Sequence, residues 1–202
     1  MTAEEVAAFE RCVLAGGVAV FPTDTVYGLA TAPDSQTGVE RLYRLKGRPP
    51  SQPVAVMFFD LNAALDSFPE LGPRTRAAVE RLLPGGLTLL LPNPAQLYPF
   101  ACGPAPERLG LRVPALEGRL APLAAVRSPV LQSSANRSGG PDAVRLEDVD
   151  AAIRAGACVV LDGGELGGRP STVIDLTRYE DDGSHRVVRE GAVSAAQVFE
   201  LL

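Results

Sequence analysis

The sequence predicts an α/β fold: one domain over residues 1–202, built on a twisted β-sheet that mixes parallel and antiparallel strands. Helix-like and strand-like segments alternate along the whole chain, which is typical of this class. The Asp182-Gly183 pair between the last two strand-like segments is a hairpin signal, so an all-parallel sheet is not expected. No repeat and no Pro/Gly/Ser-rich linker divides the chain.

The helices are predicted from their start and stop signals. Thr2 with Glu5 forms a capping box for a helix over about Ala3–Leu14, which Gly16-Gly17 ends. The further predicted helices are, in chain order, one from Asp34 or Ser35 to about Leu45, a short one after Asp60, one over about 74–83, one near 116–126 that Pro122 interrupts, one over 146–155, and a last one capped by Ser194 with Gln197.

The strands are predicted from short apolar runs that end at turn residues. They cover 18–22, 54–58, 87–92, 109–114, 129–133, 158–162, 171–177 and 185–190.

Composition limits the possible functions. Apolar residues make up 46% of the 202 and charged residues 21%, which is enough for a sizeable core. The net charge of −5 and the pI of about 5.0 argue against a surface that grips nucleic acid, but they leave room for a local cationic cleft that binds a small anion. The acidic N-terminus and the absence of a long apolar run predict a cytoplasmic protein without a membrane segment.

Cysteine and histidine are scarce. Cys12, Cys102 and Cys158 form no CxxC pair, so we expect buried, reduced thiols rather than a disulfide framework or a zinc site. His185 is the only histidine, and we expect it in an exposed turn. A Ser-His-Asp relay or a histidine metal site would depend on it alone and is poorly supported.

The single lysine of the chain, Lys46, lies in KGRPP at the end of a predicted helix, whereas the other eighteen basic residues are arginines. Cations at a helix C-terminus complement its dipole, and arginine would serve equally well there. A lysine kept against this bias suggests that a compact point charge is needed, as for a phosphate oxygen, with Arg48 as a second, forked contact.

Four more polar clusters follow predicted strands, where open α/β sheets usually bind ligands. PTDTVYGL (22–29) is either a self-bonded turn or a binding loop, and Arg112 in LGLRVP is either a solvent-facing residue or a carboxylate or phosphate clamp. SSANRSGGP (133–141) is either a plain loop or a loop whose backbone closely approaches a nucleotide. GGELGG in 161–177 is neither GxGxxG nor a P-loop.

Taken in order, PTDTVYGL, KGRP, PGGLTLLLP, LGLRVP, SSANRSGG, STVIDL and REGAV resemble the YrdC-like family, the threonylcarbamoyl-adenylate synthases, over residues 18–193. The resemblance implies a three-layer α/β domain with a concave cationic cleft. It also implies an enzyme that uses ATP, L-threonine and bicarbonate or CO2 to make threonylcarbamoyl-AMP and pyrophosphate, with Mg²⁺ accompanying ATP. A separate transferase complex would move the threonylcarbamoyl group to tRNA.

The resemblance also implies residue roles. Lys46 and Arg48 would be catalytic and hold ATP phosphates, Ser134 and Asn136 would line the nucleotide pocket, and Arg189 would reach the phosphates. Thr25, Arg112 and Ser171 would recognise threonine, with Arg112 on its carboxylate. The resemblance implies no protein-held metal.

The chain departs from the family pattern at Met57, Gly86, Ser133 and Val144. Because of these departures, one alternative is an inactive or altered member of the family, namely a non-catalytic nucleotide-binding paralogue. A tRNA-binding module and a carbamoyl-adenylate activity with another carbamoyl donor are further alternatives; the acidic pI disfavours the first of these.

Overall fold

The computed structural model describes residues 1–49 and 51–202; Pro50, the last residue of the KGRPP motif, lies outside the described residues. The helices are α1 Ala3–Leu14, α2 Gln36–Lys46, α3 Leu61–Asp66, α4 Pro73–Leu82, α5 Pro99–Cys102, α6 Ala151–Gly156, α7 Tyr179–Asp182 and α8 Ala195–Leu201. The strands are β1 Ala19–Phe21, β2 Gly28–Thr31, β3 Ala55–Met57, β4 Leu87–Pro92, β5 Arg108–Arg112, β6 Val130–Ser134, β7 Val159–Val160, β8 Thr172–Asp175 and β9 Arg186–Arg189.

The nine strands form one sheet in the order β7-β1-β2-β6-β3-β5-β4-β8-β9. Three neighbouring pairs are parallel, β1 with β7, β3 with β5 and β4 with β8. The other pairs are antiparallel, including β8 with β9. These two strands are connected through α7 and its C-cap Gly183 rather than by the hairpin predicted at Asp182-Gly183. The predicted mixed α/β sheet is confirmed.

Two cores on opposite faces of the sheet give it the predicted three layers. In β1, Val20 belongs to the larger core, while its neighbours Ala19 and Phe21 belong to the smaller one, because successive strand side chains point to opposite faces. Buried residues of α2, α3, α4 and α8 join the larger core. The smaller core lies under α1.

The smaller core covers only part of its face of the sheet. Its strand residues come from β1, β2, β3 and β6. On β4 and β5 the residues that face the larger core include Leu89 and Leu111, and the alternate residues, such as Leu90 and Gly110, line an open cavity instead. The cavity therefore lies on the sheet face that α1 leaves uncovered.

Local capping signals predicted several elements well. Thr2 and Glu5 make the expected capping box, Ser35 rather than Asp34 caps α2, and Ser194 with Gln197 caps α8. No helix among the described residues combines the length and the apolar character needed to cross a membrane.

Other predictions were wrong. The segment near 116–126 is a 3₁₀ helix over Gly118–Ala125, because Pro122 cannot donate to an α-helical ladder. The predicted helix over 146–155 is a 3₁₀ turn, Leu146–Asp148, followed by α6, which starts afresh with Asp150 as its cap. Strand β2 and the short helices α5 and α7 were not predicted.

The cysteines and the histidine also differ from expectation. All three cysteines are free, as predicted, but only Cys102 is buried, Cys12 is half-buried and Cys158 is exposed. His185 is half-buried between Tyr179 and Phe199, with ring centroids 6.1 and 4.9 Å away. The described residues contain no group of three or more His, Cys, Asp or Glu side chains that could hold a metal ion.

Candidate active site

A cavity of about 480 Å³ opens on the uncovered face of the sheet. Its floor is made of alternate residues of the strands, because side chains of one strand that are two apart share a face. Those residues are Thr88 and Leu90 of β4, Arg108, Gly110 and Arg112 of β5, and Val173 and Asp175 of β8. The volume is within the ~300–1,000 Å³ usual for small-molecule sites.

Arginines dominate the charge of this cavity. Five of them line it, and Asp175 is the one acidic residue that does so in the part of the chain that the structure describes. The five are Arg48, Arg108, Arg112, Arg186 and Arg189. This local positive charge contrasts with the net charge of −5 of the chain and would favour an anionic ligand.

Arg112 is the most deeply buried of these cations, with a side chain only 3% exposed. Its Nη2 donates to Asp24 Oδ1 at 2.5 Å and to Thr25 Oγ1 at 2.5 Å. Its Nε is buried and has no hydrogen-bond partner among the described residues. Burial lowers the pKa of Arg112, Asp24 opposes this effect, and the nearby charge of Arg189 adds to it. The protein thus satisfies Nη2, and the buried Nε–H remains a donor that a ligand could use.

The turn after β1 supplies the partners of Arg112. Thr23 Oγ1 donates to Val26 O at 2.7 Å and lies 3.0 Å from Thr25 Oγ1, and Asp24 Oδ2 accepts from the backbone of Ala115 at 3.0 Å. The turn therefore bonds itself, as one of the two interpretations of PTDTVYGL predicted, and it also positions Arg112; its role as a binding loop stays a prediction. Thr25 is buried behind Arg112 and is not among the residues that line the cavity.

Lys46 is buried at the end of α2, and its Nζ has three protein acceptors. It donates to Ser134 O at 2.5 Å, to Asn136 O at 2.8 Å and to Asn136 Oδ1 at 3.0 Å. Burial lowers the pKa of Lys46 to about 8, Arg48 adds to the decrease and Asp142 opposes it. The ammonium fixes the segment Ser134–Asn136 from behind, and only Ser134 of these residues lines the cavity. An ammonium can direct three donors around one nitrogen, which the planar guanidinium of arginine cannot do.

Asn136 completes this buried network. Ser134 Oγ donates to Asn136 Oδ1 at 2.6 Å, and Asn136 Nδ2 donates to Gly140 O at 2.6 Å. The backbone N–H of Ser138 returns to Lys46 O at 2.8 Å. The loop that follows β6 is therefore held rigidly against the end of α2.

Arg48 reaches the cavity because α2 ends at Gly47, which takes the left-handed conformation with φ of 62°. Its Nη2 donates to Pro53 O at 2.7 Å, and its Nε is buried without a partner among the described residues. Burial lowers the pKa of Arg48, and the charge of Arg189 adds to the decrease. Arg48, like Arg112, keeps a donor that a bound anion could use.

Arg189 and Ser171 face each other across β8 and β9. Arg189 Nη2 donates to Ser171 O at 2.7 Å and to Ser171 Oγ at 3.3 Å. Ser171 Oγ lies 2.8 Å from Thr88 Oγ1, and all three residues line the cavity. Two neighbouring hydroxyls and a guanidinium suit a small ligand that carries both a hydroxyl and an anionic group.

The structure thus brings the site residues predicted from the sequence together around the cavity, some in its lining and some behind the lining. Arg48, Arg112, Ser134, Ser171 and Arg189 line the cavity. Lys46, Asn136 and Thr25 adjoin it from behind.

Sequence reasoning missed Arg108, Asp175, Arg186 and Thr88 in the lining. Arg108 carried a usable signal, since it lies four residues before Arg112 on the same strand and therefore on the same face.

The four departures from the family pattern lie in different environments. Ser133 lines the cavity. Met57 pairs in register with Arg112, but its side chain is buried in the smaller core. Gly86 accepts a bond from Thr172 N at 3.0 Å, and Val144 O accepts one from Leu166 N at 2.9 Å. Of the four, only Ser133 lies in the cavity lining.

The fold and the cavity define an α/β protein with an arginine-lined site for an anionic small molecule. The sequence pattern of the Sua5/YciO/YrdC family, described as telomere recombination, matches residues 11–191. The chain belongs to this family.

Similar proteins support the assignment. The chain is 34% identical to the threonylcarbamoyl-AMP synthase of Chromohalobacter salexigens over 89% of its length and 96% of that protein. It is 31% identical to the threonylcarbamoyl-AMP synthase of Bacillus subtilis over 90% of its length. A solved structure of a double-alanine variant of P. abyssi Sua5 superimposes with a TM-score of 0.82 at 26% identity over 99% of this chain.

The relatives differ in length. The chain spans 51% of the B. subtilis protein and 60% of the P. abyssi chain, whereas it spans nearly all of the C. salexigens protein. The region that matches the family, residues 11–191, contains the whole nine-stranded sheet and every residue that lines the cavity.

Proposed function

We propose that this chain is an L-threonylcarbamoyladenylate synthase, which makes threonylcarbamoyl-AMP and pyrophosphate from ATP, L-threonine and bicarbonate or CO2. The observation that carries the proposal is the cavity itself, in which five arginines converge and two of them, Arg48 and Arg112, keep buried donors without a partner among the described residues. The relatives named threonylcarbamoyl-AMP synthase, at 31% and 34% identity, support the choice of reaction.

At the threonine end, Arg112 would bind the carboxylate of the amino acid through its Nε–H. Asp24 and Thr25 occupy Nη2 and so fix the guanidinium plane, while the buried Nε remains available. The hydroxyl of Ser171, with that of Thr88 beside it, would form a hydrogen bond with the side-chain hydroxyl of threonine. This arrangement favours an amino acid with a side-chain hydroxyl.

At the nucleotide end, Arg48 and Arg189 would hold the phosphates, with Ser134 beside the nucleotide. Asn136 and Lys46 hold the Ser134 segment. A direct contact between Lys46 and a phosphate stays a prediction, and it would require the ammonium to exchange one of its three protein acceptors. The charge of Arg48 and Arg189 would stabilise the pyrophosphate as it leaves.

The chemistry requires alignment rather than a covalent enzyme intermediate. The amine of threonine adds to CO2 and loses a proton to give a carbamate. A carbamate oxygen then attacks the α-phosphorus of ATP, and the bond to pyrophosphate breaks. Mg²⁺ would enter with ATP and neutralise phosphate charge. The phosphates would supply most of its ligands, because Asp175 is the one carboxylate that lines the cavity in the described chain.

The product would pass to a transferase complex that modifies tRNA, and we place this reaction in the cytoplasm, where tRNA is modified. Direct tRNA binding is less favoured, since the positive charge is concentrated in a cavity while the whole chain is acidic. Filter binding of tRNA at physiological salt tests it, and tight binding without pyrophosphate release would favour an RNA-binding module.

The decisive experiment measures pyrophosphate release from ATP and bicarbonate with threonine, with serine or with no amino acid. We expect release that depends on threonine and falls at least ~10-fold in Arg189→Ala, because one charge-assisted contact contributes about 1.5–3 kcal/mol. Lys46→Ala should lose most of the release, and Lys46→Arg should be impaired. Arg76→Ala, on the surface of α4 and paired with Glu80, is the matched control.

Release without threonine would contradict the proposed substrate. ATP binding by calorimetry with no release under any condition would instead indicate a non-catalytic nucleotide-binding paralogue. Equal pyrophosphate release by Arg189→Ala and by the control would contradict the assignment of Arg189 to the nucleotide site.

A further inference from the structure

Two cysteines that the sequence places far apart lie next to each other, away from the cavity. Cys12 is in the last turn of α1, and Cys158 directly precedes β7. The N–H of Gly17 donates to Cys12 O at 2.8 Å, and the N–H of Cys158 donates to Val18 O at 2.7 Å. The backbones of both cysteines are therefore fixed to two consecutive residues, Gly17 and Val18.

The two sulfur atoms share the space over Gly17. A Cβ atom at residue 17 would lie 2.7 Å from Cys12 Sγ and 3.4 Å from Cys158 Sγ. Only glycine leaves this space open to both thiols. A disulfide needs an S–S bond of ~2.05 Å between cysteines whose Cα atoms are about 4.4–6.8 Å apart. Because the two backbones are bonded to adjacent residues and both sulfur atoms border the space over Gly17, the two thiols are close neighbours.

The thiols differ in exposure. Cys158 is exposed, Cys12 is half-buried and Cys102 is buried elsewhere. Burial raises the pKa of the Cys12 thiol to about 11, and the neighbouring Cys158 adds to the increase. The first thiolate to react is therefore that of Cys158, and Cys12 is the thiol placed to resolve the product.

We propose that Cys12 and Cys158 form a dithiol modification site that a peroxide oxidises to an intramolecular disulfide. The Cys158 thiolate attacks one peroxide oxygen, the O–O bond breaks, and the released hydroxide takes a proton to become water. The Cys12 sulfur then attacks the resulting sulfenic acid, the S–S bond forms, and the second oxygen leaves as water with the proton of Cys12. Two thiols and one hydrogen peroxide give one disulfide and two waters.

The cross-link would tie α1 to the edge strand β7, which are far apart in the sequence. A disulfide that closes a long loop raises stability, mainly by restricting the unfolded chain. For a protein of this size we expect the melting temperature to rise by about 5–10 °C on oxidation and to return on reduction. This inference is independent of the proposed activity.

The test treats the reduced full-length chain with one equivalent of hydrogen peroxide. Intact mass should fall by about 2 Da, and peptide mapping should find Cys12 joined to Cys158. Cys12→Ser and Cys158→Ser should each abolish the mass loss and the shift in melting temperature. Cys102→Ser is the matched control, since it also removes one thiol and should still form the cross-link.

Several outcomes would overturn the proposal. Oxygen addition at Cys158 without a cross-link would mean that Cys12 does not resolve it. Disulfide-linked dimers through Cys158 would mean that the exposed thiol reacts with a second copy instead. Because the wild-type chain gives the primary readout, a poorly folding variant does not obscure the result.

Discussion

Replacement of Lys46 tests whether its ammonium holds the Ser134 loop. Lys46→Met keeps an unbranched side chain of similar length and removes every donor. It leaves Ser134 O, Asn136 O and Asn136 Oδ1 without the ammonium that they now share. A hydrogen bond from a charged donor contributes about 1.5–3 kcal/mol, so the loss of three gives a gross decrease of about 4.5–9 kcal/mol.

Part of this loss is offset by removal of a buried charge. The pKa of Lys46 is lowered from 10.5 to about 8, which corresponds to roughly 3 kcal/mol of unfavourable burial of the charged form. The net decrease in the free energy of unfolding is therefore about 1.5–6 kcal/mol. For a chain of this size the melting temperature should fall by about 3–24 °C.

Lys46→Arg keeps the charge but should still destabilise, by about 1–3 kcal/mol, because the larger planar group overpacks the site and cannot meet three acceptors around one nitrogen. Urea-induced unfolding measures both variants. Arg44→Met, exposed on the same helix, is the control and should change stability by less than about 1 kcal/mol. If Lys46→Met were as stable as this control, the structural role assigned to Lys46 would be refuted.

Two further substitutions probe the neighbouring contacts. Asp24→Ala leaves the guanidinium of Arg112 buried without its carboxylate, so we expect the free energy of unfolding in urea to fall by about 3–5 kcal/mol. The double variant with Arg112→Met should largely restore it, and a double variant as unstable as Asp24→Ala would contradict the pairing argument. Tyr27→Phe removes a hydroxyl that donates to Asp162 Oδ1 or Gly164 O and accepts from Gly163 N, and should cost about 1–3 kcal/mol. Hydrogen exchange should accelerate over 162–164, and unchanged exchange there would count against this role.

Signals that are local in sequence predicted α1, α2 and α8 well. A capping box such as Thr2 with Glu5 acts over three residues and is visible in the sequence alone. Strand β2 was missed because Gly28–Thr31 is buried along its whole length and shows no alternation. Its sequence also lies within a motif that was interpreted for binding alone.

The candidate site was predicted as a set of residues but not as a network. Lys46 bonds to Ser134, which is 88 residues further along the chain, and Arg112 bonds to Asp24 across the same separation. No periodicity or cap signal extends that far, so the sequence indicated a need for an ammonium at Lys46 without revealing its acceptors. The scarcity of lysine drew attention to Lys46, and the geometry gives its ammonium three protein acceptors; its contact with a phosphate stays a prediction.

The cluster of arginines is a cost to the folded protein unless an anion binds. Arg112 has Asp24 as its counter-ion, but within the described residues neither Arg48 nor Arg189 forms an ion pair. The charge of Arg189 lowers the pKa of both Arg48 and Arg112, which means that Arg189 repels each of these two cations. A ligand with several negative charges relieves this repulsion, and its binding energy is added to the stability of the fold. A site selected for stability alone would have spaced these charges apart, so their convergence argues for a polyanionic substrate such as a nucleoside triphosphate.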